Sequence, residues 1–369
     1  MSRISAVILF ILFAASISAQ EIQIITNGRT ILGTYEERTA SVAAGDIDGD
    51  GDTDIVLANG RHWPGQNRIF INNGRGVFTV ERDLGQDRET TYAAELADFD
   101  GDGDLDIAVG NDMAPNYIFL NDGHGRFEKG SSFGKDYAPT RNLSLADVDA
   151  DGDMDILITN RGMPNEICFN DGNGSFVEST EFGSNSDSTI DVEVADMDQD
   201  GHMDLILANR DGQQNYVLIN NGEAQFETKI AFGSGSDDTR AVAVGDLNQD
   251  GQLDIVSANI QSANNIYFGD KDGGYSKNVS FDKTDAASFS LDLADLNNDG
   301  LLDIIVANNR ASNAVFINQG RGLNWKEVSL ADEALRTYDI IAADVNNDGI
   351  VEIFEANSDA INRYYRIRK

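Results

Sequence analysis

A nine-residue segment, Asp-x-(Asp/Asn)-x-Asp-Gly-x-x-(Asp/Glu), occurs seven times in 369 residues, starting at Asp46, Asp98, Asp147, Asp196, Asp246, Asp295 and Asp344. Successive starts lie 52, 49, 49, 50, 49 and 49 residues apart. A period near 50 residues restricts the chain to repeat architectures, in which each unit buries its apolar face against the next copy. Other positions keep the same register. Seven residues before each segment stands a hydroxyl: Thr39, Thr91, Thr140, Thr189, Thr239, Ser288 and Thr337. Thirteen residues after each start stands an asparagine, from Asn59 to Asn357. The residue just before each segment is always Gly or Ala, which suits a strand crowded near a central axis.

Within one repeat, Val42–Gly45 reads as a short first strand, Asp54–Ala58 as a nearly all-apolar second, Arg68–Asn72 as a third and Gly76–Val80 as a fourth, with Asn73-Gly74 opening the last hairpin. Four antiparallel strands per repeat, seven times over, predict an all-β, seven-bladed β-propeller. The rival is a linear solenoid, which needs end caps that this sequence does not show. The chain ends favour the propeller. The seventh repeat stops after a third strand at Arg363–Arg368, and Ile22–Thr26 supplies the missing fourth. That pairing closes the ring between N-terminal strand and C-terminal blade, leaves no open sheet edge, and predicts a monomer.

The repeated segment is an oxygen-donor loop. Positions 1, 3, 5 and 9 offer side-chain oxygens, Gly at position 6 permits a sharp turn, and position 7 offers its carbonyl. The candidate side-chain ligands are Asp46, Asp48, Asp50 and Asp54; Asp98, Asp100, Asp102 and Asp106; Asp147, Asp149, Asp151 and Asp155; and Asp196, Asp198, Asp200 and Asp204. The later loops offer Asp246, Asn248, Asp250 and Asp254; Asp295, Asn297, Asp299 and Asp303; and Asp344, Asn346, Asp348 and Glu352. None of these donors is His or Cys, which argues against zinc. An EF-hand needs Glu at position 12 between helices; here position 12 is Leu57, Val109, Ile158, Leu207, Ser257, Val306 or Ala356, with strand-like flanks.

These loops, with Asn-x-Gly-x-Gly-x-Phe hairpins downstream at Asn121–Phe127 and Asn170–Phe176, resemble FG-GAP/VCBS repeats, the calcium-binding repeats of integrin α-subunit propellers and of many secreted proteins. The resemblance covers nearly the whole chain after residue 20 and implies up to seven Ca2+ ions, one per repeat. It leaves function open, because the family includes adhesins, lectins and non-catalytic parts of enzymes. Asn at positions 248, 297 and 346, Glu352, and a looser fifth hairpin at Gly269–Gly273 depart from the pattern and imply weaker sites.

The formal net charge of −36 follows from the same loops. They hold 28 of the 63 carboxylates, and the other 35 face 27 Lys and Arg. The acidity is mostly metal ligand, and it excludes nucleic acid as a natural partner. Residues 1–19 read as a signal peptide: Arg3, an apolar run over 6–15, and a small-residue site at Ile17-Ser18-Ala19. The expectation is an exported protein, secreted or periplasmic, with residues 20–369 forming one domain. The single Cys168 permits no internal disulfide and reads as buried and inert.

Catalytic signatures are absent from the sequence: it shows no Ser-His-Asp pattern, phosphate loop or redox cofactor motif. The face opposite the acidic loops carries the second-to-third loops and the links between blades. It collects Arg61, His62, Trp63, Arg161, Arg210 and Arg310 from the loops, and Tyr92, Arg141, Arg240, Phe289 and Tyr338 from the links. Arginines beside aromatics suit an acidic glycan or a carboxylate-bearing peptide. The leading expectation is a non-catalytic binding or adhesion module for a glycan or protein ligand. One alternative is a polysaccharide lyase-type enzyme with His62 as its weak candidate catalytic residue; another is a scaffold in an envelope protein complex.

Overall fold

The computed structural model describes residues 21–282 and 286–369, so the signal-peptide expectation lies outside the described residues. All regular structure among them is β. Among the described residues no helix is long and apolar enough to cross a membrane.

Five sheets are four-stranded and antiparallel, each made of consecutive strands. In the second repeat these are Thr91–Ala97, Asp106–Asn111, Asn116–Asn121 and Phe127–Phe133. A seven-stranded sheet joins the two ends of the chain. It contains Ile31–Gly45, Asp54–Asn59, Arg68–Ile71 and Val80–Asp83 of the first repeat, Thr337–Ala343 and Glu352–Arg368 of the last, and Gln23–Ile25. Gln23 pairs with Arg368 and Ile31 with Arg363. The repeated four-stranded sheets make a β-propeller fold.

The second strand of each repeat is buried along its whole length, as Asp54–Asn59 and Asp303–Asn308 are. Its apolar residues serve both faces because a sheet packs on each side. The core is accordingly divided into seven clusters, each shared by two successive repeats. One joins the last repeat to the first, with Phe354, Tyr364 and Val345 against Leu32, Ile55 and Phe70.

Two belts of hydrogen bonds run between neighbouring sheets. On one side, a third-strand asparagine donates to the repeated hydroxyl of the next repeat, which donates to the repeated asparagine: Asn313 to Thr337 at 2.8 Å, and Thr337 to Asn357 at 2.8 Å. The same link runs from Asn362 to Thr39 at 2.9 Å. On the other side, hairpin asparagines reach the position-2 carbonyl of the preceding acidic loop, as Asn121 does to Ile47 (2.8 Å) and Asn170 to Phe99 (2.9 Å). The fifth repeat has Gly269 where that asparagine would stand, and its link is missing.

Three strand limits differ from the sequence reading. The fourth strand of the first repeat is Val80–Asp83 rather than 76–80. The Asn72 carboxamide oxygen accepts N–H groups from Asn73 and Val77, which holds the segment before Val80 as a wide loop. The first strand starts at Ile31, well before Val42, because its N-terminal half pairs with the C-terminal strand. The last two strands of the seventh repeat run on as one element, Glu352–Arg368, through Asp359 at φ +62°.

Candidate functional site

The acidic loops are built around their first aspartate. Asp46 accepts N–H bonds from Gly49, Asp50 and Gly51 at 2.9–3.2 Å, so its carboxylate curls the loop about itself. Gly51 and its six counterparts at position 6 hold φ between +79° and +100°, a region closed to most side chains. In the first four loops, three acidic ligand atoms come within 4.8 Å of one another: Asp46, Asp48 and Asp50; Asp98, Asp100 and Asp106; Asp147, Asp149 and Asp155; Asp196, Asp198 and Asp204. Each group can hold a metal ion. The donor chemistry fits a hard cation, and the structure adds an independent sign. The side-chain oxygens Asp48 Oδ1, Asn248 Oδ1 and Asn346 Oδ1, all at position 3, are buried with no hydrogen-bond partner. A cation would answer that lack, since buried polar atoms are as a rule paired.

Position 9 carries a second role that the sequence did not reveal. Asp54 accepts from Ile47 N–H at 3.1 Å with one oxygen and from Asn72 N–H at 2.7 Å with the other. It thereby pins the loop to the hairpin, and Asp106, Asp155 and Asp204 do the same. Burial pushes these four carboxyls up to about 6, against the pull of those N–H bonds. Position 4 also links loops. Gln199 donates to the Gly251 carbonyl and Gln249 to that of Gly300, both at 2.8 Å.

On the opposite face the predicted residues divide into two sets. In every repeat the ladder between first and second strands slips just after the repeated hydroxyl, as between Thr91 and Ala93. The extra residue is unpaired, and such a bulge re-aims its side chain. It turns Tyr92, Arg141, Arg240, Phe289 and Tyr338 to the wall of a cavity of about 570 Å³ lined by the first strands of all seven repeats. Arg61 lies 4.1 Å from the Tyr338 ring centre, Arg141 4.5 Å from Tyr92, and Arg240 5.2 Å from Phe289. His62 Nδ1 is 2.8 Å from Tyr92 Oη and 3.8 Å from Asp112. Burial, then the charges of Arg61 and Arg141, lower the imidazole below its ordinary value.

The other four stand apart from this ring. Arg161 and Arg210 share the one carboxylate of Asp211, at 3.0 and 3.3 Å. Trp63 is 65% exposed, with the Arg38 guanidinium 5.9 Å from its ring centre. Arg310 is exposed and held at φ +64°. Sequence reasoning missed Asp112, which anchors Arg141 at 2.8 Å. It also missed the acids that line the cavity, Glu95, Asp191, Glu193, Asp292 and Asp339. Their signal is positional: they fall two or four residues after the repeated hydroxyl, on the same strands as the ring.

The profile of the FG-GAP-like repeat family matches six overlapping segments, 46–109, 98–158, 147–207, 196–257, 246–306 and 295–354. No curated protein matches significantly. Among solved structures, a lectin from Agrocybe aegerita that recognises non-reducing terminal N-acetylglucosamine is similar over 80% of this chain and 81% of its own, at 22% identity and a TM-score of 0.58. BBS1N, crystallised in complex with ARL6DN, is similar over 90% of this chain and 92% of its own, at 12% identity and a TM-score of 0.60. The WD40 β-propeller domain of Doa1 aligns over 94% of this chain and 97% of its own, at 12% identity and a TM-score of 0.61. At these identities the likeness concerns the fold.

Proposed function

The chain belongs to the FG-GAP-like repeat family, and from that premise we propose that it is an exported, calcium-loaded, seven-bladed propeller acting as a non-catalytic binding module. Seven core clusters shared by successive repeats, the Asn362–Thr39 link and the Gln23–Arg368 pairing support a closed ring of seven blades. The orphaned position-3 oxygens and the converging carboxylates support calcium as the metal. Asp at positions 1 and 5, Asp or Asn at position 3, the position-7 carbonyl and the position-9 carboxylate would hold it. The ion would cancel like charges that otherwise oppose folding.

The observation that carries the binding reading is the ring of stacked Arg–aromatic pairs on the face away from the loops: Arg61–Tyr338, Arg141–Tyr92 and Arg240–Phe289. Rigid aromatic surfaces with pre-oriented guanidinium forks are what glycan and protein ligands use. A lectin and a protein crystallised in complex with another protein, both among the structural neighbours, agree with a binding role. The test is thermal unfolding with calcium or excess chelator, before and after adding acidic and neutral glycans. The expected result is a large calcium-dependent rise in Tm and a further rise with one glycan class, removed by Tyr338→Ala. Indifference to calcium would sink the metal assignment; a calcium response without any glycan response points to a protein ligand.

The His62–Tyr92 hydrogen bond beside Arg61 and Arg141 favours one second reading, a lyase acting on uronates. A neutral imidazole would take the proton beside the carboxylate, an arginine would neutralise that carboxylate, and the Tyr92 phenol, held protonated by burial, would donate to the glycosidic oxygen as its bond to carbon breaks. Unsaturated, ultraviolet-absorbing products that vanish in His62→Ala would establish it.

A further inference from the structure

The acidic loops differ at position 4, which lies between two metal-ligand positions. The first three carry Gly49, Gly101 and Ala150 there; the last four carry Gln199, Gln249, Asn298 and Asn347. All seven are held at positive φ, the four amides at 55–63°, where glycine is ordinarily preferred. From that placement the amides reach the next loop. Gln199 donates to the Gly251 carbonyl at 2.8 Å, Gln249 to that of Gly300 at 2.8 Å and Asn298 to that of Gly349 at 3.3 Å. Asn347 comes only within 3.5 Å of the Asp52 side chain. Each of the three carbonyls belongs to the peptide unit that joins positions 6 and 7. The N–H of the same unit, at Gln252, Leu301 and Ile350, donates to the position-5 carboxylate: to Asp250 at 2.9 Å, Asp299 at 2.9 Å and Asp348 at 2.8 Å. The residue bearing that N–H also supplies the position-7 carbonyl. One amide from the preceding loop therefore clamps the peptide that orients two oxygen donors of the next.

The loops that receive this clamp are the fifth, sixth and seventh. They are the same three in which Asn248, Asn297 and Asn346 replace Asp at position 3, so each offers one carboxylate fewer than the first four. Affinity in an oxygen-donor loop follows both its charge count and its rigidity. A loop with less charge recovers affinity when it is held in its binding shape before the ion arrives, because binding then has less to order.

We propose that Gln199, Gln249 and Asn298 are positioning residues for calcium: each braces the acid-poor loop that follows its own, so that these three sites fill in the same range as the acid-rich four. The proposal rests on the calcium reading of the loops and goes beyond it by assigning residues outside the donor set. The test is equilibrium dialysis against buffered calcium, comparing wild type with Gln199→Ala/Gln249→Ala/Asn298→Ala. Ala150 already occupies position 4 at φ +62°, so the variant asks for no conformation the chain lacks. At about 1 mM free calcium, wild type should fill all seven loops and the variant only the first four, the others needing at least 10-fold more. Gln199→Asn/Gln249→Asn should behave as wild type, since the shorter amide of Asn298 already makes its bond. A general loss of stability would weaken every site together, so the split between the two sets is the mark of the clamp. A second readout needs no metal: in chelator, the Leu301 amide should exchange its hydrogen severalfold faster in Gln249→Ala, while the matching Asp153 amide of the third loop keeps its rate. Equal calcium binding by variant and wild type, a loss shared by all seven loops, or unchanged exchange at Leu301 would each overturn the proposal. Wild type that binds no calcium would remove the metal reading and the proposal with it.

Discussion

Glu193 shows how one side chain can carry a measurable property of the molecule. Burial, then the charges of Asp191 and Asp292, push its carboxyl up to about 8 from an ordinary 4.5. Glu95, Asp339, Arg141 and Arg240 face the same lumen from the adjoining strands, beside Tyr92 and Tyr338. A carboxyl that holds its proton more tightly when folded contributes stability that is fully present below its unfolded value and is lost as pH rises through the folded one. Between pH 4.5 and about 8, then, calcium-loaded protein should lose stability from this group as pH rises. Glu193→Gln should flatten that fall and raise Tm at pH 8.5 by a few degrees, the scale on which about 1 kcal/mol moves a large domain. Melting curves of both proteins from pH 5 to 9 (about one curve per unit) test it, and parallel curves would remove the argument. Cys168 gives a simpler expectation. Burial lifts its thiol to about 12 and no solvent reaches it, so a thiol reagent should label it only after unfolding.

At the scale of the element, the loops and the strand after each were legible in the sequence, because their residues are dictated locally. Asp at alternate positions and Gly at position 6 serve the loop's own turn, and a strand packed on both faces reads as an unbroken apolar run. What escaped were features set by the neighbouring element. The wide hairpin that displaces the fourth strand to Val80 is held by Asn72, and the bulge that aims Tyr92 inward shows only in the pairing register. Restoring a pattern without its surroundings is therefore hazardous. Gly269 stands where other hairpins place a belt asparagine, so a consensus argument recommends Gly269→Asn. A Cβ at that position would lie 2.3 Å from the Leu253 carbonyl oxygen, and backbone is what would have to move. The substitution should destabilise by about 1–3 kcal/mol in chemical denaturation, as overpacking does. A gain in stability would show that the belt matters more than the clash. By contrast Thr337→Val, which breaks the Asn313–Thr337–Asn357 chain at a fully buried site, should cost about 1–3 kcal/mol through the partners it strands.

The whole molecule raises the question of what would hold the proposed ring shut. With one cysteine there is no covalent staple, and a sheet whose last strand lacked a partner would offer an open edge to other chains. Gln23–Ile25 supplies that partner along Arg366–Arg368, and Ile22 adds its buried side chain to the cluster of Leu330, Ile340 and Tyr365. Closure of the proposed ring would thus need no new structure, only a strand borrowed from the far end of the sequence. Removing residues 21–26 should bare the edge of Glu352–Arg368 and empty part of that cluster. The burial lost with Ile22 and half-buried Ile24 is worth about 2–4 kcal/mol. The shortened protein should melt earlier in calcium and elute as dimers or larger species by size exclusion with light scattering, because the bared strand can pair with its copy. A synthetic peptide of residues 21–26 added in excess should return part of the lost Tm by refilling the same place. A shortened protein that stays monomeric with its Tm unchanged would mean that the belts and the shared cores close the ring on their own, and that the borrowed strand is an ornament of the last blade rather than its clasp.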